Sequence, residues 1–302
     1  MIDRTATLAA AVGDDVALVS ALGAALPGLR RTAGGWQLPG PPPHGRLIRM
    51  RRDGDWLTLA MAAFTSHCGP AAARDPGLLL RRNHHLPAGV RLALVPGRRR
   101  PELRAEVPLV RECARRSDLA HAHAALLAAA RCLAEPPDDA GAPPDGPPAP
   151  DVAERIREAG WPHDVRADGT LAVPLATAPQ TGPVLVAVVH GTAANGVRIA
   201  VELGRVALAD AVAHEALARF LLGVNGRVRL VRAAAVATEA GEDIACLEVG
   251  FENPPEADEL AAAFAACAAA GRLAAAEVEC LCHEHIARVF LAIQARGRQR
   301  VE

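Results

Sequence analysis

The sequence predicts an α+β protein built from two tandem αβββαββα units, each a twisted antiparallel sheet of about five strands packed with helices, plus an extra C-terminal helix. Three observations predict it. First, Leu-Leu-x-x-Asn ends an apolar helix twice, at Leu79, Leu80, Asn83 and at Leu221, Leu222, Asn225, and the two asparagines stand 142 positions apart (225 minus 83). Each copy continues into glycine and then Val-Arg-Leu opening a strand, Gly89 with Val90 to Leu92 against Gly226 with Val228 to Leu230. Second, the hairpin signal Asp53-Gly54 recurs as Asn195-Gly196 at the same offset, so a matching turn precedes each asparagine by 29 residues. Third, residues 135–151 turn to Pro, Gly, Ala and Asp, a composition that builds neither core nor helix and reads as a semi-extended linker. The expected organisation is a first domain over 1–134, the linker over 135–151, and a second domain with a helical extension over 152–302.

In chain order, Leu8, Val12, Val19, Leu22 and Leu26 recur at helical spacing between Thr5 and Leu26, and Pro27-Gly28 ends that helix. Strands are expected at Trp36 to Leu38, Leu47 to Arg51 and Trp56 to Met61, the last two joined at Asp53-Gly54. The second helix runs into Asn83, whose carboxamide can serve backbone groups where the helix stops. Strands follow at Val90 to Val95 and Leu103 to Val110, and Ser117 is expected to cap a helix carrying Leu119, Leu126, Leu127 and Leu133. After the linker, Asp151 is expected to cap a short helix with Val152, Ile156 and Ala159 on one face, closed by Gly160. Strands at Thr170 to Pro174, Val184 to Val189 and Val197 to Leu203 lead to a helix started by Asp210. Strands at Val228 to Thr238 and Ile244 to Phe251 lead to a helix from about Glu256. Beyond Gly271 an extra helix, roughly Leu273 to Ala295, carries Val278, Cys282, Ile286, Val289 and Ile293 as one apolar stripe, expected to lie across the seam between the halves.

The chain of 302 residues is long enough for two cores, and these are expected to be aliphatic, because tyrosine is absent and Phe and Trp together number eight. Lysine is absent, so all 33 basic residues are arginine. No N-terminal leader pattern is read, and no run is read as reaching the roughly 18 to 20 apolar residues that span a bilayer, so a cytoplasmic protein with no membrane partner is expected. Seven irregularly spread cysteines fit reduced, buried thiols better than a disulfide framework. Charge is divided unevenly: residues 1–134 hold 19 Arg against 10 Asp plus Glu, and residues 152–302 hold 14 against 19. That division is read as complementary domains; the sharper alternative is an acidic partner meeting the Arg98-Arg99-Arg100 loop. Nucleic acid is not expected, because no aromatic residues interleave with the arginines and no recognised module is present.

On the repeated Leu79, Leu80, Asn83 and Leu221, Leu222, Asn225 and on the repeated element order, each half resembles a type III secretion chaperone-like domain, a fold shared with YbjN-like proteins. The resemblance covers almost the whole chain outside the linker and the C-terminal extension. It implies three helices on one antiparallel sheet, and a protein that binds an unfolded segment of a partner. Single-domain members are usually acidic homodimers. Two copies in one chain therefore imply an intramolecular pseudo-dimer, a monomeric chain holding a peptide or partner protein. No catalytic residues, cofactor or metal are expected, because no motif has a spacing that reaches a shared site.

The alternative is an enzyme or metal-dependent sensor using the His and Cys clusters. The richest is Cys280-Leu-Cys282-His283-Glu284-His285. At about 100° per residue on one helix, Cys280 and His283 lie on one side and Cys282 and His285 on the other, so the four do not close on one ion. His121 and His123 also point to different sides, and adjacent His84 and His85 fall in a turn. No Gly-x-Ser-x-Gly, phosphate-binding glycine loop or His-Glu-x-x-His occurs.

Overall fold

A computed structural model describes residues 26, 28–32, 35–38, 47–53, 55–63, 75–95, 102–110, 116–134, 146–175, 184–192, 196–207 and 209–299. The helix expected from Thr5 lies outside them, apart from Leu26. The chain is mixed α+β, with two antiparallel sheets of six strands and, among the described residues, six helices. The first half contributes β1 (Arg30–Thr32), β2 (Gly35–Leu38), β3 (Ile48–Asp53), β4 (Trp56–Ala62), α1 (Pro76–His84), β5 (Arg91–Val95), β6 (Glu102–Val110) and α2 (Arg116–Ala134). The second contributes α3 (Pro150–Glu158), β7 (Asp164–Val165), β8 (Leu171–Leu175), β9 (Leu185–Gly191), β10 (Val197–Ala207), α4 (Ala211–Asn225), β11 (Arg232–Ala237), β12 (Glu242–Phe251), α5 (Ala257–Leu281) and α6 (Glu284–Gln299). The sheet orders are β1-β2-β3-β4-β6-β5 and β7-β8-β9-β10-β12-β11. Counted from each sheet's own first strand, the two orders are the same.

Each sheet thus has one strand more than expected. The additions, β1 and β7, are three and two residues long and largely exposed, too short to leave an apolar alternation in the sequence. The Asp53-Gly54 hairpin pairs Asp53 with Trp56, whereas β9 and β10 pair Gly191 with Val197 and so carry a wider loop than a two-residue turn. Longer strands show the alternation that buries one face, as in Trp56–Ala62, where Leu57, Leu59 and Met61 enter the core.

Helix ends follow local chemistry. Asp75 caps α1, accepting from Leu78 N at 3.0 Å, with Pro76 in the first turn; Asp210 caps α4 the same way through Ala213 N. Glu256 and Glu259 form a reciprocal capping box on α5. Two expected caps are displaced. Ser117 lies inside α2, which begins at Arg116, and Asp151 lies inside α3, where Pro150 already occupies the first turn and Asp151 instead pairs with Arg155 at 3.1 Å. The end of the segment read as linker is therefore helical, and Gly146 bridges to Gly191 of β9.

The largest departure is at the C-terminus. Gly271, read as a stop, sits inside α5, and a Cβ there would lie 2.3 Å from Leu185 Cδ1, so the glycine is a notch that lets the helix press onto β9. Read without the break, α5 is long and apolar enough to cross a membrane by length and composition, and half of its most apolar stretch is buried. The break falls instead at Cys282-His283, and it rotates the following turns out of phase. Val278 is buried, but Ile286, Val289 and Ile293 are exposed, so the expected single stripe does not exist. Helix α6 packs on α4 and α5 through residues such as Ala287 and Phe290, the latter edge-on to Phe220 at 6.5 Å, and not across the seam between halves.

Candidate functional site

Each motif helix packs on an edge strand of the other half, α1 against β11 and α4 against β5, and the two helices pack on each other. All six motif residues, Leu79, Leu80, Asn83, Leu221, Leu222 and Asn225, are buried. The asparagines do not simply close their own helices. Asn83 accepts from Leu92 N at 2.8 Å in its own half and donates to Ala233 O at 2.6 Å in the other. Asn225 reciprocates, accepting from Ala233 N at 2.5 Å and donating to Leu92 O at 2.8 Å and Ala233 O at 3.0 Å. Leu92 and Ala233 lie on β5 and β11, the edges where the two sheets face each other, so two carboxamides satisfy the backbone groups those edges expose to each other.

Beside the asparagines lie two buried arginine–glutamate pairs that sequence reading missed. Arg91 opposes Glu106 across β5 and β6, and Arg232 opposes Glu248 across β11 and β12. Arg232 Nε meets Glu248 at 3.1 Å, and its other nitrogens reach into the first half, donating to the carbonyls of His84, Leu86, Pro87 and Val90. Arg91 reaches the opposite way, donating to Val228 O and Val231 O. Its counterpart is therefore Arg232 and not Arg229, the arginine of the Val-Arg-Leu match. Strand β11 opens at Arg232, because residues 228–231 form an irregular turn with Leu230 left-handed at φ 59°. The available signal was an arginine inside the apolar run Val90 to Val95, a charge no strand buries without a partner.

Two further carboxylate contacts fasten α1 to β12. Asp243 receives Arg81 Nε at 2.9 Å and lies 2.6 Å from His214 Nε2, and Glu248 lies 2.5 Å from His84 Nδ1. A Cβ on Gly77 would lie 1.9 Å from His214 Cε1, so the absence of a side chain there lets α1 approach α4. Burial, the largest influence on Glu248, pushes its carboxyl up, but the His84 hydrogen bond and the charges of Arg232, His84 and Arg198 outweigh it and hold it at about 2. Asp243 is likewise held below the usual range: burial pushes it up, and His214 and Arg81 pull it down further.

The folded value of Glu248 lies below its unfolded value, so its contribution of roughly 3 kcal/mol is present above about pH 4.5 and is lost as pH falls toward 2. The stability difference between the native chain and Glu248→Gln is therefore expected to be steady above pH 5 and to shrink below pH 4 in denaturant titrations. A difference independent of pH would contradict the assignment.

The remaining candidates do not converge. Among the described residues no three His, Cys, Asp or Glu side chains gather as metal ligands. Cys280 lies in the last turn of α5, Cys282 caps it, His283 lies in the break and His285 in the first turn of α6, so the helix expected to run through all four is interrupted there. His121 pairs with Glu252 of the other half at 3.4 Å, while His123 is partly buried with Nε2 unpartnered and its basicity lowered by burial. His84 belongs to the seam, and His85 packs edge-on against it at 5.0 Å. Arg98, Arg99 and Arg100 lie outside the described residues.

The described cysteines are free, but the expectation of uniformly buried thiols is corrected: Cys246 and Cys267 are buried, whereas Cys132 and Cys280 are exposed. Burial pushes Cys267 up to about 12 and raises Cys246 as well. In the folded chain at neutral pH, iodoacetamide is expected to modify Cys132 and Cys280 and to spare Cys246 and Cys267. Peptide mass spectrometry showing rapid alkylation of the buried pair would contradict this.

A cleft of about 730 Å³ opens where the halves meet. Arg91, Arg232 and Glu248 form its floor, and Asp118 of α2 and Asp258 and Glu259 of α5 its rim. A neighbouring depression of about 580 Å³ shares Asp118 and Glu259 and adds His121 and Glu252. No family model, curated protein or solved structure matches this chain.

Proposed function

We propose that the chain is a non-enzymatic binding protein akin to a type III secretion chaperone or YbjN-like domain, duplicated and fused so that its halves act as an intramolecular pseudo-dimer holding a peptide or partner protein. The observation that carries the reading is the reciprocity of the seam. Asn83 and Asn225, Arg91 and Arg232, and Glu106 and Glu248 occupy matching places, and each Asn and Arg reaches into the opposite half. That is the pattern of a two-fold interface between identical subunits, residue i meeting j and j meeting i, here within one chain. Fusion gives the second copy a high effective concentration, so dimerisation between chains is no longer needed to cover these surfaces. The cleft sits on this seam with walls from both halves, the usual place for a ligand site.

Two measurements test the reading. Light scattering coupled to size exclusion is expected to give the single-chain mass of 31.4 kDa; a stable homodimer would remove the argument that fusion replaces dimerisation. An array of unselected 15-residue peptides is expected to show spots bound above background, and an array with none would sink the binding role.

A further inference from the structure

Strand β3 buries Ile48 and Met50 and turns Arg49 and Arg51 to solvent. The pairing of β1 to β4 puts exposed Arg30 in one row with Gln37, Arg49 and Ala60, and Arg104 of β6 lies beside Ala62 on the same face. Glu102 pairs with Arg104 at 2.6 Å, and among the described residues no ion pair engages Arg30, Arg49 or Arg51. Apart from the buried Arg91–Glu106 pair, and counting Asp53 at the end of β3, this face carries four arginines against two carboxylates. Glu102 reports its field. The hydrogen bond from Arg104 holds the Glu102 carboxyl below the usual carboxylate range against the push of burial, and the charges of Arg104, Arg49 and Arg51 lower it further.

The fold does not require these arginines. The second sheet has the same strand order, and pairing outward from Glu248 as from Glu106 matches Arg30, Arg49, Arg51 and Arg104 with Asp164, Val188, His190 and Cys246. The seam residues are of one kind in both halves, Asn with Asn, Arg with Arg and Glu with Glu, whereas this face is not. Like charges gathered on neighbouring strands cost stability, so an arginine cluster that the sheet can be built without points to an anionic partner.

Two features narrow the anion to a peptide. Arg49 and Arg51 stand ~7 Å apart, the spacing of alternate residues in an extended chain, so acidic side chains at i and i+2 of a peptide reach both guanidinium forks at once. Leu47, 48% exposed just before β3, and partly exposed Trp56 at the start of β4 add apolar contact beside the arginines. A nucleic acid would use the arginines, but among the described residues of this face it would find one aromatic, Trp56, where successive bases need several to stack on. We infer that the exposed face of the first sheet docks an extended acidic peptide segment, whose Asp or Glu residues two apart meet Arg49 and Arg51 and whose aliphatic or aromatic residue meets Leu47 or Trp56. The inference rests on the partner-binding reading above and names the chemistry of the partner. Thr58 and Trp56 of β4 pair with Pro108 and Val110 of β6, which line the cleft, so Arg51 on β3 lies two strands from that site.

The test uses the array of unselected 15-residue peptides, probed with the full chain and with the variant Arg49→Gln, Arg51→Gln. The native chain is expected to favour spots with Asp or Glu at alternate positions, although its formal net charge of -1 gives it no general attraction for acids. Soluble fluorescein-labelled copies of bound peptides are expected to bind about tenfold more tightly than the same peptides with Asp and Glu replaced by Asn and Gln, an advantage that salt weakens. The double variant is expected to lose that advantage. A control that removes two exposed arginines of the second half, Arg157→Gln with Arg166→Gln, is expected to keep it. Circular dichroism checks folding, and Arg51→Gln alone, at an exposed position, serves if the double variant does not fold, with a smaller loss of the same advantage. Labelled single-stranded DNA of matching length is expected to bind more weakly than the acidic peptides at equal salt. DNA bound more tightly, and released by the double variant, would assign the face to nucleic acid and overturn the inference. Bound spots with no enrichment in Asp and Glu, an enrichment unchanged in the Arg49 and Arg51 variants, or one lost equally in the control would also overturn it and leave the binding role standing. An array with no bound spot would overturn both.

Discussion

Replacing Arg232 with methionine is expected to destabilise the chain by about 3–5 kcal/mol, measured by guanidinium unfolding at pH 7. Methionine fills much of the same volume, so the loss is electrostatic and not a cavity. It leaves Glu248, 1% exposed and held ionised, without its closest arginine, and it strips the donors from carbonyls of the turn that joins α1 to β5. Because the orphaned carboxylate is part of the cost, the double change Arg232→Met with Glu248→Met is expected to be less destabilising than Arg232→Met alone. If the single change costs under about 1 kcal/mol, the pair is not the anchor described here.

The asparagines give the second large effect, with a sign that distinguishes the seam from two separate helix ends. Asn83→Ala leaves Leu92 N without its acceptor, and Asn225→Ala leaves Ala233 N and Leu92 O unmet; each is expected to cost about 2–4 kcal/mol, mostly from buried backbone groups left unpaired. Ala233 O has a donor from each asparagine, at 2.6 and 3.0 Å, so either single variant leaves it one. The double variant leaves it none and is expected to cost more than the two singles added. Strict additivity, as for independent helix caps, would contradict the shared acceptor.

Local signals were legible in the sequence and long-range pairings were not. Leu79, Leu80, Asn83 and their copies declared themselves because helix spacing, a polar stop and a turn lie within a few residues. The same proximity made the Asp53-Gly54 hairpin and the Asp210 cap readable. The role of Asn83 was not, since its partner Ala233 is 150 residues away and a helix-end asparagine looks the same whether it serves its own backbone or another's. Arg91 and Arg232 were hidden for a related reason. Their partners lie on neighbouring strands and in the opposite turn, and the Val-Arg-Leu match placed the second copy at Arg229, on the wrong side of a left-handed residue that leaves no mark in composition. Gly271 misled because a packing notch and a helix stop use the same residue. Reading it as a stop shifted the last break by eleven positions and built a stripe from Val278 to Ile293 that the chain does not form.

Hydrogen exchange of the unmodified chain across low guanidinium concentrations tests the seam most directly, because it reads the free energy at which each element opens. If the reciprocal asparagine and arginine contacts bind the halves into one cooperative unit, amides of β5 around Leu92 and of β11 around Ala233 open at the same free energy and merge with global unfolding. The cores of both sheets then follow together. If the first sheet exchanges at a markedly lower free energy while the second stays protected, or the reverse, the halves unfold independently and the seam does not join them.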